Sequence, residues 1–323
     1  MKEWIISERE EGQRLDRFVG KLLPEATKGF LYKMLRKKNI TLNGKRAEGD
    51  ERLSAGDAVR LFFSEETFAL FAGSGKAAAA LDEKIPEIPP ERILYADYDI
   101  LVVDKPAGLL SQKARPEDVS LAEMAAKTAL SRGLIVEEDL RTVRPGVCNR
   151  LDRNTTGIVV AGISAKGLRE TGDLLRERST KKTYLALVAG RARFGAHLTG
   201  YLVKDEAANT VRVLDAPEEG AARIETAFEV LAAGEQASLL QVDLITGKSH
   251  QIRAHLAHAG LPVLGDVKYG SAAANARARA DWGVSRQMLH AWKMNLPQGD
   301  FTAPIPQDMR RAIEGAGFAV PKA

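Results

Sequence analysis

Apolar positions in the first sixty residues repeat with a helical period. Leu15, Phe18, Val19 and Leu22 fall at i, i+3, i+4 and i+7, with Asp16 in the first turn, where a carboxylate suits the helix dipole. Phe30, Leu31, Met34 and Leu35 form the stripe of a second helix, and Asn43-Gly44 between "NITL" and "KRAE" is a hairpin signal. From Glu91 onward the period changes to that of strands: "DILVVD", "GIVVAG", "KTYLALVAG", "ETAFEVL" and "ASLLQVDLIT". Several of these succeed one another with no helix between them, which predicts an α+β domain with a mixed, largely antiparallel sheet and flanking helices. No Gly-x-Gly-x-x-Gly comes after the first of them, which argues against a dinucleotide-binding fold. Between the two patterns, Ser64 to Pro90 is rich in small residues and prolines without a periodic apolar face. The expected organisation is therefore a small α/β domain over residues 1–63, a flexible linker over 64–90 and a large domain over 91–323.

Composition narrows the class. With 323 residues, 45% hydrophobic and 28% charged, the chain affords a sizeable core. No stretch approaches the roughly 18 apolar residues of a membrane span. The N-terminus "MKEWIISEREEGQ" carries acids where a signal peptide has an apolar run, so a cytoplasmic protein is expected. The single cysteine, Cys148, rules out an internal disulfide and a cysteine-rich zinc site, and beside a valine it reads as a small core residue. The net charge of +4 is modest, but Lys28 to Arg46 holds seven Lys or Arg and no acid. Lys33, Arg36, Lys37, Lys38, Lys45 and Arg46 there suit a phosphate backbone, which rewards clustered positive charge. Over about Gln13 to Phe62, "RLDRFVGKLL", "LRKKNITLNGKRA" and "GDAVRL" resemble the S4 domain, a small RNA-binding module, which implies an RNA clamp.

"RLDR" occurs twice, and the residues after each copy separate the two. Arg14–Arg17 leads into the first helix, so structure alone accounts for Asp16. Arg150–Arg153 leads into "NTTG" and then an apolar strand, so Asp152 sits on a polar loop just before a core strand, and polar loops held by a rigid sheet are where function concentrates. Two further polar clusters adjoin strands, "KKTYLALVAG" and "TGKSHQIRAHLAHAG". His250, His255 and His258 crowd the latter, but HExxH spacing and a Cys partner are absent, so no metal site is expected. His250 reads as a hydrogen-bonded residue shaping a strand-to-helix turn, with Arg253 one turn later. An aspartate flanked by arginines is favoured in its ionised form. It suits a nucleophilic or electrostatic carboxylate, and no second carboxylate presents itself as the acid of a glycosidase. A structural Asp–Arg pair stays open on these grounds.

"NRLDRNTTG" is similar to H-R-L-D-x-x-T-S-G, "KKTYLALVAG" to K-x-Y-x-A-x-V-x-G, and "TGKSHQIRAHLAHAGLPVLGDVKYG" to T-G-R-x-H-Q-I-R-x-H-x-x-x-x-G-x-P-I-x-G-D-x-x-Y-G. Over about Glu91 to Pro297 the chain thus resembles the RluA-type RNA pseudouridine synthases, with "DILVVDKPAGLLSQ" and "QMLHAWKMNLP" as flanking segments. Together with the S4-like segment, the resemblance implies a pseudouridine synthase fold and modification of large-subunit (23S) ribosomal RNA. It implies Asp152 as the catalytic aspartate and Arg253 as its pairing arginine. It further implies Tyr184 packing on the target uracil and assisting deprotonation at C5, Arg150 entering the RNA stack as the base leaves, and Leu289 lining the base pocket. Isomerisation changes no redox state, so no cofactor or metal is implied, and neither a membrane nor an obligate protein partner, leaving a monomer. Attack at C1′, addition at C6 and loss of a ribose proton all remain open as chemical paths. Asn149, Thr156 and Gln112 depart from the usual His, Ser and His, which touches loop geometry and substrate context rather than the reaction. The rival reading is an RNA-binding protein that keeps the fold without catalysis.

Overall fold

The computed structural model describes residues 1–72 and 83–322. In chain order its elements are β1 (Lys2–Ile5), α1 (Leu15–Leu22), α2 (Lys28–Arg36), β2 (Ile40–Leu42), β3 (Lys45–Arg46), β4 (Ala58–Leu61), α3 (Glu65–Ala72), β5 (Ile93–Ala96), β6 (Ile100–Lys105), α4 (Leu121–Ser131), β7 (Gly146–Val147) and β8 (Thr156–Gly162). Then come α5 (Ala165–Arg176), β9 (Lys182–Ala189), β10 (Ala196–Asp205), β11 (Thr210–Leu214), β12 (Ala222–Ala233), β13 (Ala237–Leu244), α6 (Gln251–His258), α7 (Ala272–Trp282), β14 (Leu289–Leu296), β15 (Gly299–Thr302) and α8 (Gln307–Gly315). One sheet has the order β1-β4-β2-β3; the other has eleven strands in the order β11-β10-β12-β13-β9-β14-β8-β6-β5, with β15 on β14 and β7 on β8. The chain divides into two compact units. One holds residues 1–102, 112–149 and 160–173, the other 103–111, 150–159 and 174–323.

In the first unit the four-stranded sheet is antiparallel throughout. The periodic residues of α1 and α2 close on it: Leu15, Phe18, Val19, Leu22, Leu31, Met34 and Leu35 share a core with Val59 and Leu61. Asn43 and Gly44 both take positive φ (52° and 73°), as a two-residue hairpin of this twist requires. Asp16 is held locally, accepting from Arg14 and from the Tyr32 hydroxyl at 2.9 Å. The expected flexible linker needs correcting over Glu65–Ala72, which is helix. Phe68 stacks on Trp4 with ring centroids 5.7 Å apart, and Phe71 meets Phe30 at 4.2 Å, so two aromatic rings one turn apart order the segment. Farther on, Ile85 and Ile88 are buried and the Ile88 N–H donates to Thr128 Oγ1 at 2.8 Å. The rest of that linker, residues 73–82, lies outside the described residues. The boundary expected at residue 63 is also crossed by polar contacts within this unit. Lys21 Nζ donates to the Thr142 carbonyl at 2.7 Å, and Arg9 pairs with Asp139 at 3.3 Å.

In the second unit β9 lies between β13 and β14, antiparallel to both, and β14 pairs in parallel with the start of β8. The mixed, largely antiparallel sheet expected from the strand run is present. Side chains alternate across β9. Leu185 and Leu187 face a core completed by Met309, Ala312 and Ile313 of α8 and Ala278 of α7. Tyr184 and Ala186 occupy the opposite face, and their cross-strand partners Ala291 and Leu289 share it. Gly157 sits where β8 meets β14, with φ +108°; a Cβ there would run into the Ala291 carbonyl and lie 2.8 Å from the Ala291 nitrogen. Gly157→Ala is expected to lower stability by at least about 2 kcal/mol through strain and overpacking. Urea unfolding measures it, and an unchanged midpoint would show that the two strands can part to admit a methyl group.

Candidate functional site

Asp152 stands on the loop Leu151–Thr155, and nearly every residue of that loop is tied down from a different direction. Leu151 exchanges two hydrogen bonds with the Ser111 hydroxyl, at 3.0 and 2.9 Å. The Arg153 carbonyl accepts from the Gly108 N–H at 2.9 Å and from Lys105 Nζ at 3.0 Å. Arg286, itself paired with Asp308 at 2.7 Å, donates to the Asn154 carbonyl at 3.2 Å. Gln287 reaches the Thr155 hydroxyl at 3.3 Å, and the Thr156 hydroxyl bonds His290 at 2.9 Å. Lys105 is fully buried at the end of β6, and its ammonium also donates to the carbonyls of Pro106 and Leu109. Burial pushes Lys105 down to about 7. Three carbonyls around one nitrogen are nevertheless a set that only the three N–H groups of the charged form can fill.

Arg253 projects from the first turn of α6. That short helix is anchored by Gln251, whose amide donates to the Glu225 carbonyl at 2.8 Å and to Thr226 Oγ1 at 3.0 Å. The Arg253 side chain is 5% exposed. Its Nε and one terminal nitrogen grip Asp266 at 2.6 and 2.8 Å, a two-pronged pair with a carboxylate of 0% exposure. The other terminal nitrogen donates to Asp152 Oδ2 at 2.6 Å, and the guanidinium carbon lies 5.1 Å from the Tyr269 ring centroid. Burial opposes the Arg253 charge, but the two carboxylates outweigh it and raise its pKa, so it stays a cation. Asp266 also accepts the N–H groups of Lys268 and Tyr269, and although burial works against ionisation its pKa is lowered overall. Asp152 keeps a quarter of its side chain exposed. The arrangement is a solvent-reaching carboxylate braced by a buried cation, which is in turn braced by a buried anion.

Of the other residues singled out in the sequence, Tyr184 is buried, with its phenol raised by burial and by the Asp152 charge. The shift keeps the phenol protonated at neutral pH. Leu289 is buried on the same sheet face as Tyr184. Arg150 is exposed and has neither hydrogen bond nor ion pair among the described residues. Lys33, Arg36, Lys37, Lys38, Lys45 and Arg46 are all exposed in the first unit. The three histidines serve three different partners: His250 bonds Tyr269, His255 bonds Thr226 and His258 pairs with Asp215. Among the described residues no group of three or more His, Cys, Asp or Glu could hold a metal ion. Burial pushes the Cys148 thiol up to about 11, which makes it inert rather than nucleophilic. Asn149, in place of the usual His, accepts the Val160 N–H at 2.8 Å and so helps to hold β8.

Sequence reasoning assigned no role to Asp266, Tyr269, Lys105, Ser111 or Arg286. Asp266 and Tyr269 lie inside "GDVKYG", and the charged pair Asp104-Lys105 closing the apolar run "ILVV" was a visible signal. Removing the buried anion tests the brace. Asp266→Asn is expected to cost about 3–5 kcal/mol, because it leaves the buried guanidinium short of a charge partner. Since the folded-state pKa of Asp266 is depressed, its contribution is present above the unfolded carboxylate pKa of about 4 and is lost as pH falls through the folded value. Chemical denaturation of both proteins against pH checks this, the variant showing the weaker acid dependence.

The family described as RNA pseudouridylate synthase matches residues 99–258. The chain is 30% identical to ribosomal large subunit pseudouridine synthase C of Pasteurella multocida, over 97% of this chain and 93% of the relative. It is 32% identical to the protein of the same name from Haemophilus ducreyi, over 96% and 94%. Among solved structures, human RNA pseudouridylate synthase domain containing 4 aligns with a TM-score of 0.60 at 20% identity, covering 72% of this chain and 95% of that one, a likeness of fold. With that family match and relatives at this identity over nearly their whole length, the chain belongs to the RluA-type family of RNA pseudouridine synthases.

Proposed function

We propose that this enzyme converts specific uridines of large-subunit (23S) ribosomal RNA to pseudouridine, with Asp152 as the reacting carboxylate. The observation that carries the reading is the 2.6 Å contact between Asp152 Oδ2 and Arg253, backed by buried Asp266. A buried Arg–carboxylate assembly is costly to desolvate, and a chain that only bound RNA would have no use for aiming it at a solvent-reaching acid. The names of the full-length relatives support ribosomal RNA as the substrate. The reaction breaks the bond from ribose C1′ to N1 of the uracil and forms one from C1′ to C5, within a single nucleotide and without net oxidation.

The target base has to leave its stack, at a cost of a few kcal/mol. Tyr184 and Leu289, buried on one sheet face, would receive it, and stacking on an aromatic ring offsets about 1–3 kcal/mol. Arg150, without a partner among the described residues, would fill the gap left behind. The exposed cations Lys33, Arg36, Lys37, Lys38, Lys45 and Arg46 would grip the RNA backbone as an S4-like clamp. A monomer suffices, since Asp152, Arg253, Asp266, Tyr184 and Leu289 come from one chain. The RNA substrate would place the enzyme in the cytoplasm; among the described residues no helix is long and apolar enough to cross a membrane.

Tritium release from unmodified large-subunit RNA carrying 5-tritiated uridine tests the reaction. Asp152→Asn should lower the rate by roughly 10³-fold or more, about 4 kcal/mol of barrier, with RNA still bound. Tight binding without release by the wild-type protein would establish the non-catalytic reading instead. For the clamp, the combined change of Arg36, Lys37 and Lys38 to Gln should flatten the dependence of log affinity on log salt by about 0.7–0.9 for each phosphate that is no longer neutralised. An unchanged slope removes the case for the clamp and leaves the active site untouched.

A further inference from the structure

His250 occupies the turn that leads into α6, with a left-handed backbone (φ 55°), and both of its ring nitrogens have a polar neighbour. Nδ1 lies 2.7 Å from the Tyr269 hydroxyl, and Nε2 lies 3.8 Å from Asp152 Oδ1. The hydrogen bonds of Tyr269 decide where the protons are. Its oxygen already accepts the N–H of Val211 at 2.8 Å. The single phenolic proton then goes to Nδ1, because the reverse arrangement leaves it without a partner among the described residues. A neutral imidazole that accepts at Nδ1 carries its own proton on Nε2, the nitrogen facing Asp152. Arg253 holds the other carboxylate oxygen, Oδ2.

We infer that His250, locked in one tautomer by Tyr269, is a positioning residue for Asp152, its Nε2–H steadying Oδ1 while Arg253 steadies Oδ2. Two donors on two oxygens stop the carboxylate from turning about its Cβ–Cγ bond, so one lone pair keeps a constant direction toward the nucleotide. At 3.8 Å the His250 contact is about 1 Å longer than a hydrogen bond, a gap that closes in the substrate complex, where such bonds tighten. The inference rests on Asp152 being the reacting carboxylate.

The charged and titratable groups facing His250 are Asp152 on its loop, Arg253 on α6, and Asp266, Lys268 and Tyr269 on the segment before α7. Burial, aided by Arg253 and Lys268, outweighs the two aspartates and lowers the pKa of the imidazole from its ordinary value, keeping it neutral at pH 7. Protonation keeps the Nε2–H but turns Nδ1 from acceptor to donor, so the Tyr269 bond must reverse, the phenolic proton loses its partner and the ring leaves its locked position. The rate of the chemical step should therefore fall on the acid side as His250 charges.

Three full-length variants and one spectrum decide the matter. His250→Phe keeps a ring without donors and should lower kcat by about 10²-fold, with KM for the RNA within about twofold of wild type. His250→Gln offers an amide N–H near the Nε2 position without titrating, and should recover kcat to within about threefold of wild type while losing the acid limb. Tyr269→Phe removes the lock and should move the acid limb to higher pH. Nitrogen-15 NMR of the wild-type imidazole should show the Nε2–H tautomer. The proposal is overturned by wild-type kcat in His250→Phe, by Gln rescuing no better than Phe, by an acid limb persisting in the Gln variant, or by an Nδ1–H tautomer. Should His250→Phe fail to fold, the Tyr269→Phe profile and the tautomer still decide. A wild-type protein that releases no tritium defeats the proposed reaction instead, and the tautomer, which needs no turnover, then judges His250 alone.

Discussion

A buried guanidinium shared by two carboxylates organises the site. Arg253 is nearly without solvent, so its charge depends on carboxylate partners, above all on Asp266, which meets it with two parallel hydrogen bonds inside the protein. That pairing uses one edge of the planar fork and leaves the remaining nitrogen aimed at Asp152. A lysine could not do both, since a point charge on a flexible stem has no second edge with a set direction. The exposed partner is thus oriented by the buried one, and the unpaired freedom of the assembly is concentrated in the one carboxylate that reaches solvent.

Orientation also depends on the backbone that carries Asp152. The loop is short, polar and non-repetitive, and by itself would sample many shapes. Hydrogen bonds from Lys105, Ser111, Arg286 and Gln287 reach Arg153, Leu151, Asn154 and Thr155 on either side of Asp152 and replace the ladder it lacks. Each of these donors is buried on or beside a strand or its adjoining loop. Preorganisation of this kind lowers the reorganisation needed when charge develops on the substrate. The cations of the first unit are held differently: Lys33, Arg36, Lys37, Lys38, Lys45 and Arg46 are all exposed, and Arg46 pairs loosely with Glu48 at 3.4 Å.

Much of this was legible along the chain. The stripes of α1 and α2, the Asn43-Gly44 hairpin and the buried strand after "NTTG" come from period and turn chemistry, because each depends on neighbours within a few residues. The helix at Glu65–Ala72 was not. Its apolar positions sit beside a run of alanine and glycine, and contacts with residues distant in sequence, Trp4 on Phe68 and Phe30 on Phe71 among them, order the segment.

The order of motifs by itself determined the family that the chain resembles, and with it which residues, Asp152, Tyr184 and Arg253, to look for at one site. It did not determine that Arg253 needs Asp266, that Lys105 gathers three carbonyls, or that His250 turns Nε2 toward the aspartate. Those arrangements join residues up to about a hundred positions apart, as with Asp152 and Arg253. A sequence pattern records which side chains are present; the direction of a donor and the loss of its water are set only when the sheet brings distant segments together.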